Sequence, residues 1–97
     1  MGKVQQKKGR QAELQLVKLL QDFGYKDVVP GPPMSFGSAP DVTGLSGIHC
    51  ECKNVRNLNI LAALRQAEED SLYFGGIPAV FIRHTGGRWV VSMSLSR

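Results

Sequence analysis

Two stretches of the sequence place apolar residues three and four positions apart, which is the spacing of an amphipathic helix. The first covers about residues 5–23 and stops at Gly24, a typical C-terminal cap. The second covers about residues 60–73 and follows Asn59, a typical N-cap. The positions predicted to be buried are Ala12, Leu16, Leu19, Leu20 and Phe23, with Val17 at the margin, on the first helix, and Ile60, Ala63, Leu64, Ala67 and Ser71 on the second. We therefore expect two helices that each pack one face against the rest of the protein.

Shorter runs of apolar or alternating residues predict β-strands. The predicted strands are residues 41–45, 48–53, 78–84 and 89–95. Ser46 and Gly47 lie where the first two would turn into a hairpin, and the apolar run at 78–84 is typical of a strand buried on both faces. Residues 25–29 form either a further short strand or an extended connection. The order α–β–β–α–β–β predicts an α/β fold, with a central mixed sheet of four to five strands flanked by helices.

Residues 30–40 are too rich in glycine and proline for regular structure. Such a long loop in a small domain usually carries function, and this one leads directly into Asp41, so we expect it to border the active site. The chain of 97 residues has no internal repeat and no sign of a second domain. We therefore expect one domain covering residues 1–97.

The composition narrows the class of protein. Charged residues make up 21% of the chain and hydrophobic residues 42%, which is ordinary for a globular protein and unlike a disordered one. The formal net charge of +4 makes an acidic polymer a reasonable partner. No apolar run approaches the roughly 20 residues of a membrane span, and the polar, basic N-terminus lacks the apolar stretch of an export signal. We expect a cytoplasmic protein.

The two cysteines, Cys50 and Cys52, share one face of the predicted strand 48–53. An extended chain holds their side chains about 7 Å apart, too far for an unstrained disulfide. We interpret them as small buried residues in a reducing compartment. The alternative is a zinc site formed with His49 and His84. The alternation of side chains along the strand weighs against a zinc site, because it places His49 on the face opposite the two cysteines.

The pattern with the clearest chemistry is Asp41, preceded by proline, followed across the predicted hairpin by Glu51, Cys52 and Lys53. Alternation puts His49, Glu51 and Lys53 on one face of their strand. A hairpin paired about its turn brings Asp41 nearly opposite Glu51 and Cys52, within about 5 Å. Two carboxylates this close favour a divalent cation or a raised pKa, and the lysine suits a phosphate. We predict metal-assisted phosphodiester chemistry, the alternative being a purely structural salt-bridged cluster.

Two further polar positions are open to more than one interpretation. Glu13 lies at the edge of the apolar arc of the first helix. It is either a solvated residue beside basic neighbours or a third acidic group directed at the metal. Gln66 and Asp70 lie one turn apart at the edge of the second helix's buried stripe, a spacing typical of a solvated pair.

The order of these parts resembles the PD-(D/E)XK nuclease superfamily. The chain is most similar to the small Holliday-junction-resolvase-like endonucleases of phages and prophages, and VRR-type nuclease domains are the nearest cousins. The similarity covers about residues 7–95 and is carried by segments 8–13, 44–53, 56–60, 66–67 and 77–81. It implies a restriction-endonuclease-like core and hydrolysis of branched DNA during DNA recombination.

The resemblance also implies a role for each motif residue. It implies Mg²⁺ or Mn²⁺ as cofactor, held by Asp41, Glu51, the backbone carbonyl of Cys52 and, directly or through water, Glu13. Lys53 would orient the attacking water or neutralise charge on the scissile phosphate. Gln66 would support the site from the second helix. Ser38 resembles a loop serine near the substrate in archaeal resolvases.

Basic side chains near the predicted site indicate how the protein would contact DNA. Lys7, Lys8 and Arg10 flank the predicted start of the first helix, where unpaired backbone amides also favour a phosphate. Arg56 lies just past Lys53. We predict phosphate contacts for these four cations, the alternative for each being a solubilising surface charge. Recognition would then depend on backbone shape, with little base readout.

Two symmetric nicks across a four-way junction need two active sites, so the resemblance implies a C2 homodimer. Apolar candidates for its interface are Met34, Phe36, Leu72, Tyr73 and Met93. Two alternatives stay open. One is the same chemistry on flaps, nicks or duplex DNA. The other is a DNA-binding or assembly module with a vestigial nuclease site, and the presence of every motif side chain argues against it.

Overall fold

The computed structural model describes residues 2–32, 39–54, 56–84 and 87–95, with side chains described from residue 9 onward. The elements are, in chain order, α1 (Gly2–Asp22), β1 (Val29–Pro30), β2 (Val42–Thr43), β3 (Ile48–Lys53), α2 (Ile60–Phe74), β4 (Ile77–Arg83) and β5 (Trp89–Met93). The predicted order of helices and strands is observed, with β1 as one additional short strand. In this described part of the chain, neither α1 nor α2 combines the length and apolar character needed to cross a membrane.

The strands form one mixed sheet in the order β1-β2-β3-β4-β5. The central strands β3 and β4 are parallel, paired from Ile48 with Ile77 to Lys53 with Ile82, and α2 connects them. All other neighbouring strands are antiparallel. The predicted α/β class and the mixed sheet are therefore confirmed.

One helix packs on each face of the sheet. The α1 face buries Leu16, Val17, Leu20, Val28, Val42, Cys50, Ala79 and Phe81. The α2 face buries Ala63, Leu64, Ala67, Val80 and Ile82. Consecutive residues of β4 alternate between these two clusters, so this strand is buried on both faces, as its continuous apolar sequence predicts.

Three predictions about the helices are wrong. Phe23 is 70% exposed, because it follows the last residue of α1 and the chain turns at Gly24, which has a φ of +111°. Ile60 is 45% exposed because it is the first residue of α2, and burial on its arc begins one turn later at Ala63. Asp70 is buried within the packed face of α2 and is not part of a solvated pair.

Two strands are shorter than predicted. β2 is limited to Val42–Thr43, because Gly44 follows with a φ of +91°, outside the extended region. The turn of the hairpin still falls at Ser46 and Gly47, where Gly47 has a φ of +78°. β5 ends at Met93, so Leu95 lies beyond it and is fully exposed.

A close backbone approach at Gly31 helps to hold Asp41 in place. The Gly31 N–H donates to the backbone carbonyl of Asp41 at 2.8 Å. A Cβ at this glycine would lie only 2.1 Å from the carbonyl oxygen of Pro40. Any larger residue at position 31 would therefore push apart the two segments that fix the start of β2.

Candidate active site

The β2–β3 hairpin sets the position of Asp41. Val42 pairs with Cys50, and the Asp41 N–H donates to the Cys50 carbonyl at 2.9 Å, which places Asp41 opposite Glu51. The Cys52 N–H in turn donates to Asp41 Oδ2 at 2.8 Å. This backbone bond orients the Asp41 carboxylate toward β3. The predicted proximity of Asp41 to Glu51 and Cys52 is confirmed.

Alternation along β3 divides its side chains as predicted. Ile48, Cys50 and Cys52 contact the α1 cluster. His49 and Glu51 are buried on the other face, which α2 covers. The side chain of Cys52 therefore packs away from the carboxylates, and only its main chain is available to them.

Asp41 and Glu51 lie opposite each other across the hairpin, close enough for Asp41 to raise the pKa of Glu51. Glu51 is only 8% exposed. Burial and then the nearby charge of Asp41 raise the pKa of Glu51 to about 9. The charge of Asp70 acts in the same direction, whereas Lys53 opposes the rise. At neutral pH this pair therefore retains a proton that two isolated carboxylates would lose.

Lys53 lies at the end of β3, half-buried and close enough to Glu51 for its charge to lower the pKa of that carboxyl. It also opposes the rise in the pKa of Cys52. The ammonium group is therefore near the Asp41–Glu51 pair. Among the described residues it forms no ion pair with either carboxylate. Such a group can meet an anion that approaches the carboxylates.

Glu13 extends from α1 toward the same place. Burial and then the charge of Asp41 raise its pKa, while Arg10 lowers it. The Arg10 guanidinium lies 3.5 Å from the Glu13 carboxylate. Glu13 therefore has the basic neighbour of one interpretation and lies within electrostatic reach of Asp41, while its role toward a metal stays a prediction.

Asp70 is the residue of this region that the sequence interpretation missed. It lies on α2, and Gln66 donates to its Oδ1 at 3.0 Å. Among the described residues, one donor atom each from His49, Glu51 and Asp70 lie within 4.8 Å of one another. Gln66 thus reaches the predicted site only through Asp70. The signal in the sequence was the position of Asp70 between Ala67 and Ser71, within the arc that α2 buries.

The cysteines do not form a metal site with the histidines. Cys50 faces α1 whereas His49 faces α2, and His84 is exposed. Both cysteines are free, and burial raises the pKa of each thiol to about 12. These thiols stay protonated at neutral pH, which disfavours them as metal ligands.

The structure gives the positions of some of the residues predicted to contact DNA. Because α1 begins at Gly2, Lys7, Lys8 and Arg10 lie inside the helix and do not flank unpaired amides at its start, so that part of the prediction is wrong. Arg10 is half-exposed and pairs with Glu13. Arg56 is exposed. Ser38 and the apolar residues Met34 and Phe36 lie outside the described residues.

The side chains present fit a hard divalent cation such as Mg²⁺ or Mn²⁺. Two carboxyl groups that share one proton can instead share one cation, which would neutralise both of them. The orientation of Asp41 by the Cys52 N–H means that the pair needs little rearrangement to do so. Binding would displace the proton of Glu51, so the affinity for the cation should rise with pH.

We expect the stability of the protein in EDTA to fall as the pH rises. Folded Glu51 keeps its proton up to a pKa of about 9, whereas the unfolded chain releases it near the ordinary value of 4.5. Between these values deprotonation favours the unfolded chain, by at most about 1.4 kcal/mol per pH unit. Urea unfolding across the neutral to mildly alkaline range measures this slope. The range avoids the ordinary pKa of histidine at 6.5 and of the cysteines at 9.0.

Glu51→Gln supplies the control for this measurement, because the amide keeps the shape of the side chain but does not titrate. Its stability should depend much less on pH over the same range. Equal slopes for the variant and the unchanged protein would show that Glu51 does not hold the proton.

Comparisons with known proteins give no family assignment. A scan against models of protein families finds no match, and a search of curated proteins finds none either. The chemistry of the chain must therefore be argued from its own side chains.

Proposed function

We propose that the chain is a divalent-metal-dependent DNA endonuclease that hydrolyses phosphodiester bonds in branched DNA, with four-way Holliday junctions as its main substrate. One observation carries the proposal. Asp41 lies opposite Glu51 across the β2–β3 hairpin, oriented by the Cys52 N–H, with the charge of Lys53 beside the pair. A pair of acidic ligands next to a cation suits the hydrolysis of a phosphodiester, whose charge grows in the transition state. The resemblance to PD-(D/E)XK nucleases supports the same reaction.

In this proposal Asp41 and Glu51 hold Mg²⁺ or Mn²⁺, with the backbone carbonyl of Cys52 as a further ligand. When bound, such a cation acts as a Lewis acid toward the phosphate and makes water a better nucleophile. Lys53 would orient the attacking water or neutralise charge on the scissile phosphate. Glu13 lies within electrostatic reach of Asp41 and would bind the cation directly or through water.

The proposed substrate is bound through its backbone. The net charge of +4 would attract the DNA backbone. The side chains proposed to contact phosphates, and not base edges, are Lys7, Lys8, Arg10, Ser38 and Arg56. A C2 homodimer would present two sites to the two strands to be cut. Leu72, Tyr73 and Met93 are exposed and are available to such an interface. The proposed setting is the cytoplasm of a bacterial host or phage-infected cell.

The test is cleavage of end-labelled four-way junction, flap, nicked and linear duplex DNA. Each substrate is incubated with Mg²⁺, with Mn²⁺ or with EDTA. We expect paired, symmetric nicks on the junction that require the metal, with little cleavage of linear duplex. Preferential cleavage of another substrate would contradict the assignment to junctions. Binding without cleavage of any DNA, with either metal, would contradict the enzymatic assignment itself.

A further inference from the structure

A second group of metal-ligating side chains lies on the α2 face of the sheet. His49 and Glu51 extend from β3, and Asp70 meets them from α2. His49 Nε2 lies 2.8 Å from Glu51 Oε1. One donor atom from each of the three residues lies within 4.8 Å of the other two. The sheet and the helix thus bring an imidazole and two carboxylates to one point.

The histidine in this group is buried and incompletely satisfied. The His49 side chain has no exposed surface, yet its Nδ1 has no hydrogen-bond partner among the described residues. A buried polar atom without a partner is costly. The nitrogen that meets Glu51 is Nε2, so an ion held by the three residues would coordinate Nε2 and leave Nδ1 to carry the ring proton.

The surroundings of the group position its side chains. Gln66 donates to Asp70 Oδ1 at 3.0 Å and so fixes that carboxylate. The ring of Phe74 lies against His49, with ring centroids 6.5 Å apart. Metal sites in proteins commonly have such outer contacts, a hydrogen bond that orients a ligand and an apolar wall around it. Glu51 and Asp70 are buried but not fully enclosed, with exposed fractions of 8% and 6%.

We propose that His49, Glu51 and Asp70 bind a transition-metal divalent cation. Ligands held at about 2.0–2.2 Å from one ion lie roughly 3–4.4 Å apart, so the observed separations need only small side-chain movements. One nitrogen and two oxygen ligands favour ions such as Mn²⁺ or Zn²⁺ over Mg²⁺, which prefers oxygen alone. The site differs from the Asp41–Glu51 pair but shares Glu51 with it. It goes beyond the proposed nuclease function, since binding here requires neither DNA nor hydrolysis.

Nuclear magnetic resonance of the two histidine rings tests this proposal on the unchanged protein. Zn²⁺ is the probe, and Mg²⁺ at equal concentration is the comparison. His84→Gln assigns the signals, because His84 is exposed and lies outside the group. We expect Zn²⁺ to shift one ring nitrogen of His49 strongly, by direct coordination, while Mg²⁺ causes at most a small shift through the contact of His49 with Glu51. Unchanged His49 signals at saturating Zn²⁺ would overturn the proposal.

Calorimetric titration with Zn²⁺ then identifies the ligands. Asp70→Asn should weaken Zn²⁺ binding at this site by about tenfold or more. Loss of a residue that only orients a ligand already costs about that much, and loss of a direct ligand should cost at least as much. Glu69→Gln is the matched control, because Glu69 is the exposed acidic neighbour of Asp70. Asp41→Asn should preserve the Zn²⁺-induced shift of His49. Equal affinities of the Asp70→Asn and Glu69→Gln variants would contradict the role of Asp70.

The outcomes separate this inference from the proposed function. A Zn²⁺-induced shift of His49 in a protein that cuts no DNA would support the site and contradict the nuclease. Mg²⁺-dependent cleavage by a protein whose His49 does not respond to Zn²⁺ would support the nuclease and contradict the site.

Discussion

Replacing Glu51 with Gln is expected to abolish DNA cleavage, by about a thousandfold or more, while DNA binding changes little. The amide keeps the size of the side chain but removes a ligand charge from the Asp41–Glu51 pair. A bound cation supplies several kcal/mol of transition-state stabilisation, and about 4 kcal/mol corresponds to a thousandfold in rate. Single-turnover cleavage of the junction in Mg²⁺, measured beside a binding titration in EDTA, checks both parts of the prediction.

The fold should tolerate this replacement. Glu51 is buried and keeps a proton at neutral pH, so a neutral amide imposes no new charge on its surroundings. Thermal unfolding should therefore show a variant at least as stable as the unchanged protein at mildly alkaline pH. Glu69→Gln is the matched control, because Glu69 is exposed and its replacement should leave cleavage unchanged. Near-normal cleavage by a well-folded Glu51→Gln protein would contradict the role of Glu51 as a ligand.

The parts of this site that the sequence predicts are the local ones. Strand alternation needs only the sequence of β3, and it correctly separates Glu51 from Cys50 and Cys52. The register of the hairpin follows from its turn at Gly47, which brings Asp41 opposite Glu51. Both relations act over about ten residues, so no tertiary packing is needed to infer them.

The parts that the sequence does not predict depend on how helices meet the sheet. Helical periodicity places Asp70 near the edge of an apolar arc, but only the packing of α2 decides that it is buried beside Glu51. Glu13 is ambiguous for the same reason, since its distance from Asp41 depends on how α1 lies across β3. Periodicity also fails at helix ends. Phe23 and Ile60 continue the arcs of their helices but lie where packing has ended or has not begun.

Glu51 belongs both to the Asp41–Glu51 pair and to the cluster of His49, Glu51 and Asp70. It lies opposite Asp41 across the hairpin, and its Oε1 lies 2.8 Å from His49 Nε2. A carboxylate has two oxygens, so Glu51 would be available to a cation at either site. If both proposed sites bind metal, Glu51→Gln should affect each, whereas Asp41→Asn and Asp70→Asn should affect one each.

Replacing Lys53 with Ala is expected to preserve the affinity for Mg²⁺ to within a few-fold and to slow cleavage by about a hundredfold to a thousandfold. The rate falls because the variant lacks one preorganised charged group that stabilises the transition state. Calorimetry with Mg²⁺ measures the affinity, and single-turnover cleavage of the junction measures the rate. Lys18→Ala is the control, because Lys18 is an exposed lysine of α1 with no proposed role in the site. Unchanged single-turnover cleavage by Lys53→Ala would contradict the role.

The pH dependence distinguishes two ways in which Lys53 can act. Its charge lowers the pKa of Glu51, so its loss should raise that pKa above about 9 and make the proton harder for a cation to displace. A lysine that acted only in this way would become dispensable as the pH rises, because Glu51 would then lose its proton unaided. A lysine that stabilises the transition state is needed at every pH at which it is charged. We therefore expect the rate defect of Lys53→Ala to persist when the pH is raised toward the pKa of Glu51, while any small loss of Mg²⁺ affinity disappears. Recovery of the full rate at high pH would show that Lys53 serves only to adjust the protonation of Glu51.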